Sequence, residues 1–144
     1  MPDLFIRTII QKFDAHLRHI IKDEGKNKFV IYTNGMGGKL AREYLKTEFG
    51  IIPEYTIDNK RYNGIDILNI EQAQKRNNKN VYFLVCSWHP DYYDEIRRVI
   101  YEAFPNEQII DIFPRAALPG KKEICAVLHH VDSYIRDLED KSCG

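Results

Sequence analysis

Apolar residues recur along this chain in two rhythms, and the alternation between them predicts the architecture. Ile6, Ile9, Ile10, Phe13, Leu17, Ile20 and Ile21 fall at helical spacing, which predicts an amphipathic helix over about residues 4–24 that stops near Gly25. Asp3, Arg7, Gln11 and Lys12 interrupt the apolar run and no small-residue cleavage pattern follows, so the segment reads as a packing helix rather than a targeting signal. Lys28 to Thr33 is a short run of β-formers, the mark of a strand buried on both faces. Gly37 to Phe49 returns to helical spacing through Leu40, Ala41, Tyr44, Leu45 and Phe49, with Gly50 as terminator.

The same theme continues. Ile51 to Ile57 predicts a second strand ending at Asp58-Asn59, followed by a turn-rich stretch from Lys60 to Gly64. Ile65 to Leu68 reads as a short extended piece, Glu71 to Arg76 as a polar helix, and Asn77 to Asn80 as its break. Val81 to Cys86 is the strongest strand signal, and Asp91 to Phe104 is a helix with Ile96, Val99, Ile100 and Ala103 on its apolar side. Gln108 to Phe113 is a further strand closed by Pro114. A last helix over about residues 121–138 presents Ile124, Val127, Leu128, Val131, Ile135 and Leu138.

Strands separated by helices pair in parallel through right-handed crossovers. The fold class expected is therefore α/β, a three-layer Rossmann-like domain with a mainly parallel sheet and amphipathic N- and C-terminal helices. Val30, Ile31, Leu84 and Val85 belong in its central strands. No linker, repeat or low-complexity stretch divides the chain, so residues 1–144 read as one domain with its α/β core at about 28–113.

Composition narrows the function classes. The 144 residues are 44% hydrophobic and 29% charged, the profile of a globular protein, with no membrane-spanning run. Lys+Arg and Asp+Glu are 21 each, so no global basic field exists to hold a nucleic-acid backbone. The cysteines, Cys86, Cys125 and Cys143, are odd in number and widely spaced. That argues against a disulfide framework or zinc site and suits a reducing, cytoplasmic setting. Cys86 sits within an apolar run and reads as a buried, inert thiol.

Chemistry concentrates in the loop after the first strand, Thr33-Asn34-Gly35-Met36-Gly37-Gly38. In a doubly wound sheet the first strand-to-helix turn receives the phosphate of a ligand, because glycines let backbone N–H groups approach it and the helix N-terminus adds unpaired donors. Against G-x-G-x-x-G, Gly35 takes the second glycine's place and Gly38 the third's, while Thr33 stands at the first. The competing explanation is a glycine-rich turn that only lets helix and strand pack closely. Asp58 follows Gly35 by 23 residues at the end of the second strand, where a carboxylate would face a ribose or would serve a turn.

Ser87-Trp88-His89-Pro90-Asp91 follows the strongest strand and would overlook the same crevice. Ser87 and His89 are candidate ligand contacts there and Trp88 a stacking surface, while Asp91 and Pro90 also suit a helix entry. His129-His130, and His16 with His19, lack a completed metal-ligand set. Arg97-Arg98 and Lys121-Lys122 read as solvated helix faces. No nucleophile elbow or P-loop lysine is present.

Val30 to Gly38, Ile57-Asp58-Asn59-Lys60 and Tyr62 to Ile67 together resemble the YGAGxxG … IDN … GIPV run of Rossmann-like domains attached to bacterial sugar acyltransferases, sugar methyltransferases and glycosyltransferases of surface-polysaccharide pathways. The resemblance covers roughly residues 28–113. It implies that Gly35 to Gly38 contact a diphosphate and Asp58 a ribose or base, with a sugar nucleotide or NAD-like dinucleotide as ligand.

Two functions follow as expectations. One is a nucleotide- or sugar-nucleotide-binding domain in surface-polysaccharide metabolism, working with a partner transferase and binding its ligand more readily than turning it over. The other is a non-catalytic interaction domain that keeps the fold without the ligand and self-associates, as a homodimer, through its terminal helices. For the first, Gly38→Val is expected to abolish nucleotide binding while leaving the protein folded or modestly destabilised, because the side chain would crowd the helix N-terminus where a phosphate should rest.

Overall fold

The computed structural model describes residues 2–58, 67–87, 93–113 and 134–140. Helix α1 (Pro2–Arg18) continues into one π turn (His19–Asp23). Strand β1 (Phe29–Tyr32), helix α2 (Met36–Phe49), strands β2 (Tyr55–Ile57) and β3 (Ile67–Leu68), helix α3 (Ile70–Gln74), strand β4 (Tyr82–Val85), helix α4 (Tyr93–Ala103) and strand β5 (Ile109–Asp111) follow. Residues 134–140 are helical and form α5. No helix among the described residues is long and apolar enough to cross a membrane.

The five strands form one sheet of order β3-β2-β1-β4-β5, parallel throughout. Phe29, Val30, Ile31 and Tyr32 are all at most 2% exposed, which is why β1 reads as a continuous apolar run. Its alternate side chains feed two separate cores. Phe29 and Ile31 join Leu84 and residues of α1, α2 and α5 on one face, while Val30 and Tyr32 join Phe83, Val85, Ala73 of α3 and Ile100 of α4 on the other. The molecule is a three-layer α/β, Rossmann-like fold, with Ile31 opposite Leu84 and Tyr32 opposite Val85 at its centre.

The N-terminal helix is part of the core. Ile9, Phe13, Leu17 and Ile20 are buried at the spacing that its sequence pattern predicts. Each such side chain contributes about 1.5–3 kcal/mol relative to exposure. Phe13 stacks on Phe113 with ring centroids 5.3 Å apart. Ile135 and Leu138 of α5 are buried in the same cluster, and the remainder of the predicted C-terminal helix lies outside the described residues.

Several boundaries differ from expectation for local reasons. The predicted strand from Ile51 shortens to Tyr55–Ile57, because Pro53 has no N–H to donate and pairing with β1 starts only where Glu54 N reaches Phe29 O at 2.8 Å. Helix α2 ends where Gly50 adopts φ 66°, and Ile51 N donates back to Leu45 O at 3.1 Å, closing the helix end with a left-handed glycine. Helix α3 starts one residue before the predicted Glu71, since Asn69 and Gln72 form a reciprocal capping box. Arg97 departs from expectation outright. It is 8% exposed on the buried side of α4, not on a solvated face.

Candidate functional site

The strand order places a crevice between β1 and β4. From β1 the chain steps outward to β2 and β3, then returns to the other side of β1 at β4 and continues to β5. Helix α2 leaves β1 over one face of the sheet and α4 follows β4 over the opposite face. The two loops therefore part at the carboxyl ends of the central strands, the position where open parallel sheets receive ligands. Thr33 to Gly38 forms one wall and Ser87 begins the other.

In the first wall the chain leaves β1 through a cis Tyr32–Thr33 peptide and enters α2 at Gly35, whose backbone is extended (φ −86°, ψ −161°). No side chain caps this helix, so the first-turn N–H groups of Met36, Gly37 and Gly38 rely on partners other than a capping side chain. The three glycines have different causes. A Cβ on Gly37 would lie 1.8 Å from Cys86 O, and one on Gly38 1.8 Å from Thr33 O. Both are glycine because α2 abuts the backbone at the ends of β1 and β4. A Cβ on Gly35 would meet Thr33 Oγ1 at 3.8 Å, an ordinary contact. The close-packing explanation therefore holds for Gly37 and Gly38 and not for Gly35. A side chain at Gly38, as in Gly38→Val, pushes the helix off the strand, so that variant loses stability along with any ligand contact.

Asn34 is the best-anchored residue of the loop. Its backbone N–H donates to Asp58 Oδ2 at 2.9 Å, and its side-chain Oδ1 accepts from Arg42 Nη2 at 3.1 Å. Arg42 Nη1 in turn donates to Thr56 Oγ1 at 3.2 Å. Asp58, 8% exposed, is held by its own N–H to Leu68 O. Burial, with the Asp58 charge adding to it, pushes the nearby Tyr32 phenol up to about 12. Tyr32 stays a neutral donor, bonded to Ile96 O at 3.1 Å.

The second wall is organised by Arg97. Its Nε and Nη2 pair with the two oxygens of Asp111 at 2.7 and 2.9 Å. Nη2 also reaches Ser87 O at 2.9 Å and Phe113 O at 2.7 Å, and Nη1 reaches Tyr93 O at 3.3 Å. The guanidinium lies 3.4 Å from the centroid of the Tyr93 ring. This one cation ties the ends of β4 and β5 to α4 and sets the path of the chain at Ser87. His89, Trp88, Pro90 and Asp91 lie outside the described residues, as do Cys125, Cys143, Lys121, Lys122, His129 and His130.

Other candidates resolve simply. Cys86 is fully buried with Sγ near Leu84 O, and burial pushes its thiol up, as an inert core cysteine requires. His19 is exposed and lies beside Asp23 and Glu24. His16 is half-buried. No group among the described residues assembles the donors of a metal site.

The sequence pattern places Thr33, Asn34, Gly35, Met36, Gly37, Gly38, Asp58 and Ser87 at the carboxyl ends of β1, β2 and β4, where the structure has them. It missed Arg42 and Arg97. A signal existed for Arg97, which shares a helical stripe with Tyr93, Ile100 and Phe104, all buried. Arg42 gave none, since its partners Asn34 and Thr56 are brought to it only by folding. No family profile, curated protein or solved structure matches the chain.

Proposed function

We propose that this chain binds the diphosphate of a sugar nucleotide or NAD-like dinucleotide at the Thr33–Gly38 loop, as a binding module in bacterial surface-polysaccharide metabolism. Gly35 carries the proposal. Neither packing nor a positive φ explains its missing side chain, and it stands at the mouth of the crevice where a phosphate would approach the uncapped end of α2. Gly37 and Gly38 hold that helix end against the sheet, and Asp58 lies at the carboxyl end of β2, on the side where a ribose would extend. The sugar-nucleotide class and the pathway rest on the resemblance of residues 28–113 to domains that accompany sugar-modifying enzymes.

The test is a thermal-shift and calorimetric panel of NAD, NADP, UDP-glucose and GDP-mannose on wild type and Gly35→Asp. A ligand at 100 times its Kd stabilises the protein by about 2.7 kcal/mol. Gly35→Asp provides a side-chain cap, so the fold is expected to hold or gain slightly while the added carboxylate repels phosphate. A flat panel, or a shift that survives Gly35→Asp, overturns the proposal. A flat panel would favour the alternative of a domain that keeps this fold for association with another protein.

A further inference from the structure

The two hydrogen bonds on Asn34 decide which way its side-chain amide faces. Arg42 Nη2 lies 3.1 Å from Asn34 Oδ1, and a guanidinium has donors only, so the amide oxygen must be the atom turned toward it. The amide Nδ2 is consequently turned the other way. The backbone N–H of the same residue is held by Asp58 Oδ2 at 2.9 Å, which fixes the peptide from which the side chain springs. Arg42 is itself steadied by Thr56 Oγ1 at 3.2 Å. Among the described residues Nδ2 has no partner, although Asn34 is only half-buried and adjoins Gly35, where the protein leaves room. An amide pinned at its oxygen presents two N–H donors in a set direction, and a set donor pair suits an acceptor-only group such as an ionised phosphate.

We infer that Asn34 is a phosphate-binding residue of the nucleotide site, donating from Nδ2 to a phosphate oxygen of the ligand, and that Arg42 is its positioning residue. This rests on the nucleotide-binding proposal above. Arg42 acts by excluding the flipped amide, in which Oδ1 would face and repel an anion. Lysine, also donor-only, preserves that exclusion wherever it reaches; methionine does not.

The experiment uses NAD and UDP-glucose as probes, titrated by calorimetry into wild type, Asn34→Ala, Arg42→Lys, Arg42→Met and the Asn34→Ala/Arg42→Met double variant. The Asn34 side-chain NH2 pair is followed by 15N NMR in the wild type. With folding verified by thermal melts, Asn34→Ala is expected to weaken the bound probe about tenfold or more, the loss of one hydrogen bond to a charged acceptor. Arg42→Met weakens it comparably, Arg42→Lys recovers part of the loss, and the double variant binds no more weakly than Asn34→Ala alone, because Arg42 acts through Asn34. In the wild type the NH2 pair shifts on titration.

If wild type binds a probe and loses it in Gly35→Asp, yet Asn34→Ala binds within twofold or the NH2 pair stays unmoved, the inference about Asn34 fails while the site stands. Full additivity in the double variant would overturn the positioning role of Arg42. If wild type binds neither these probes nor NADP and GDP-mannose, the nucleotide proposal fails and this inference fails with it.

Discussion

Arg97 and Asp111 face each other through two parallel hydrogen bonds, Nε to Oδ2 at 2.7 Å and Nη2 to Oδ1 at 2.9 Å, with side chains only 10% and 20% exposed. The pair joins α4 to the end of β5, and the same guanidinium holds Ser87 O and Phe113 O. Arg97→Met removes the cation, leaves the poorly solvated Asp111 carboxylate without its counter-charge, and takes the guanidinium donor from Ser87 O, while Phe113 O keeps the Tyr93 hydroxyl at 3.0 Å. The expected cost is about 3–5 kcal/mol, the range for breaking one side of a buried ion pair. Urea denaturation checks it through a lowered midpoint at unchanged slope. A loss below about 1 kcal/mol would show that Arg97 is dispensable to the fold.

The three loop glycines should separate cleanly. Gly37→Ala and Gly38→Ala each place a methyl group 1.8 Å from a backbone oxygen, of Cys86 and Thr33 respectively. Backbone cannot rotate aside as a side chain can, so each is expected to cost at least about 1–3 kcal/mol by overpacking. Gly35→Ser meets no such contact and is expected to stay within about 0.5 kcal/mol of wild type. Paired thermal and chemical denaturation of the three variants decides the matter, and equal losses at all three positions would refute the distinction.

His16 gives the fold a dependence on mildly acidic pH. Burial pushes its pKa below the usual 6.5, with the Asp111 charge opposing. In the unfolded chain His16 takes up its proton near the ordinary value, so below about pH 6.5 the unfolded state binds more protons than the folded state. Stability contributed by neutral His16 is therefore full above that pH and is lost as the pH falls toward the lower folded value. Melting temperatures of wild type and His16→Gln between pH 8 and 5 test this. The wild type should fall more steeply below pH 6.5, and parallel curves would remove His16 as the cause.

Cys86 should resist thiol reagents in the native protein. Its side chain has no exposure and burial pushes its thiol up, so the reactive thiolate forms only when the sheet opens. Peptide mapping after iodoacetamide treatment should find Cys86 unmodified under native conditions and labelled in denaturant. Rapid native labelling at this position would contradict its place between the central strand and α2.

Among the described residues, the sequence by itself determined which segments are strands and which are helices, and in what order. These are local properties: a β-branched run such as Val30-Ile31 has few other uses, and spacing such as Ile9, Phe13, Leu17 and Ile20 marks one side of a helix wherever that helix lies. It also placed Val30, Ile31, Leu84 and Val85 in the central strands, because only strands covered on both faces lack polar alternation. The position of the glycine loop followed from that, since a parallel sheet opens its crevice at the carboxyl ends of its strands.

Only the tertiary structure decided what each residue of the crevice does, because those roles depend on contacts between distant segments. Gly38 and Gly35 look alike in sequence, and differ because Thr33 O stands against one and not the other. Arg97 looks like its exposed neighbour Arg98 until Asp111, Ser87 and Phe113 converge on it from two strand ends. Asn34 looks like a turn residue until Asp58 holds its N–H and Arg42 its amide oxygen. Periodicity reports which way a side chain faces, and donor–acceptor partnership across the fold is the information that periodicity does not carry.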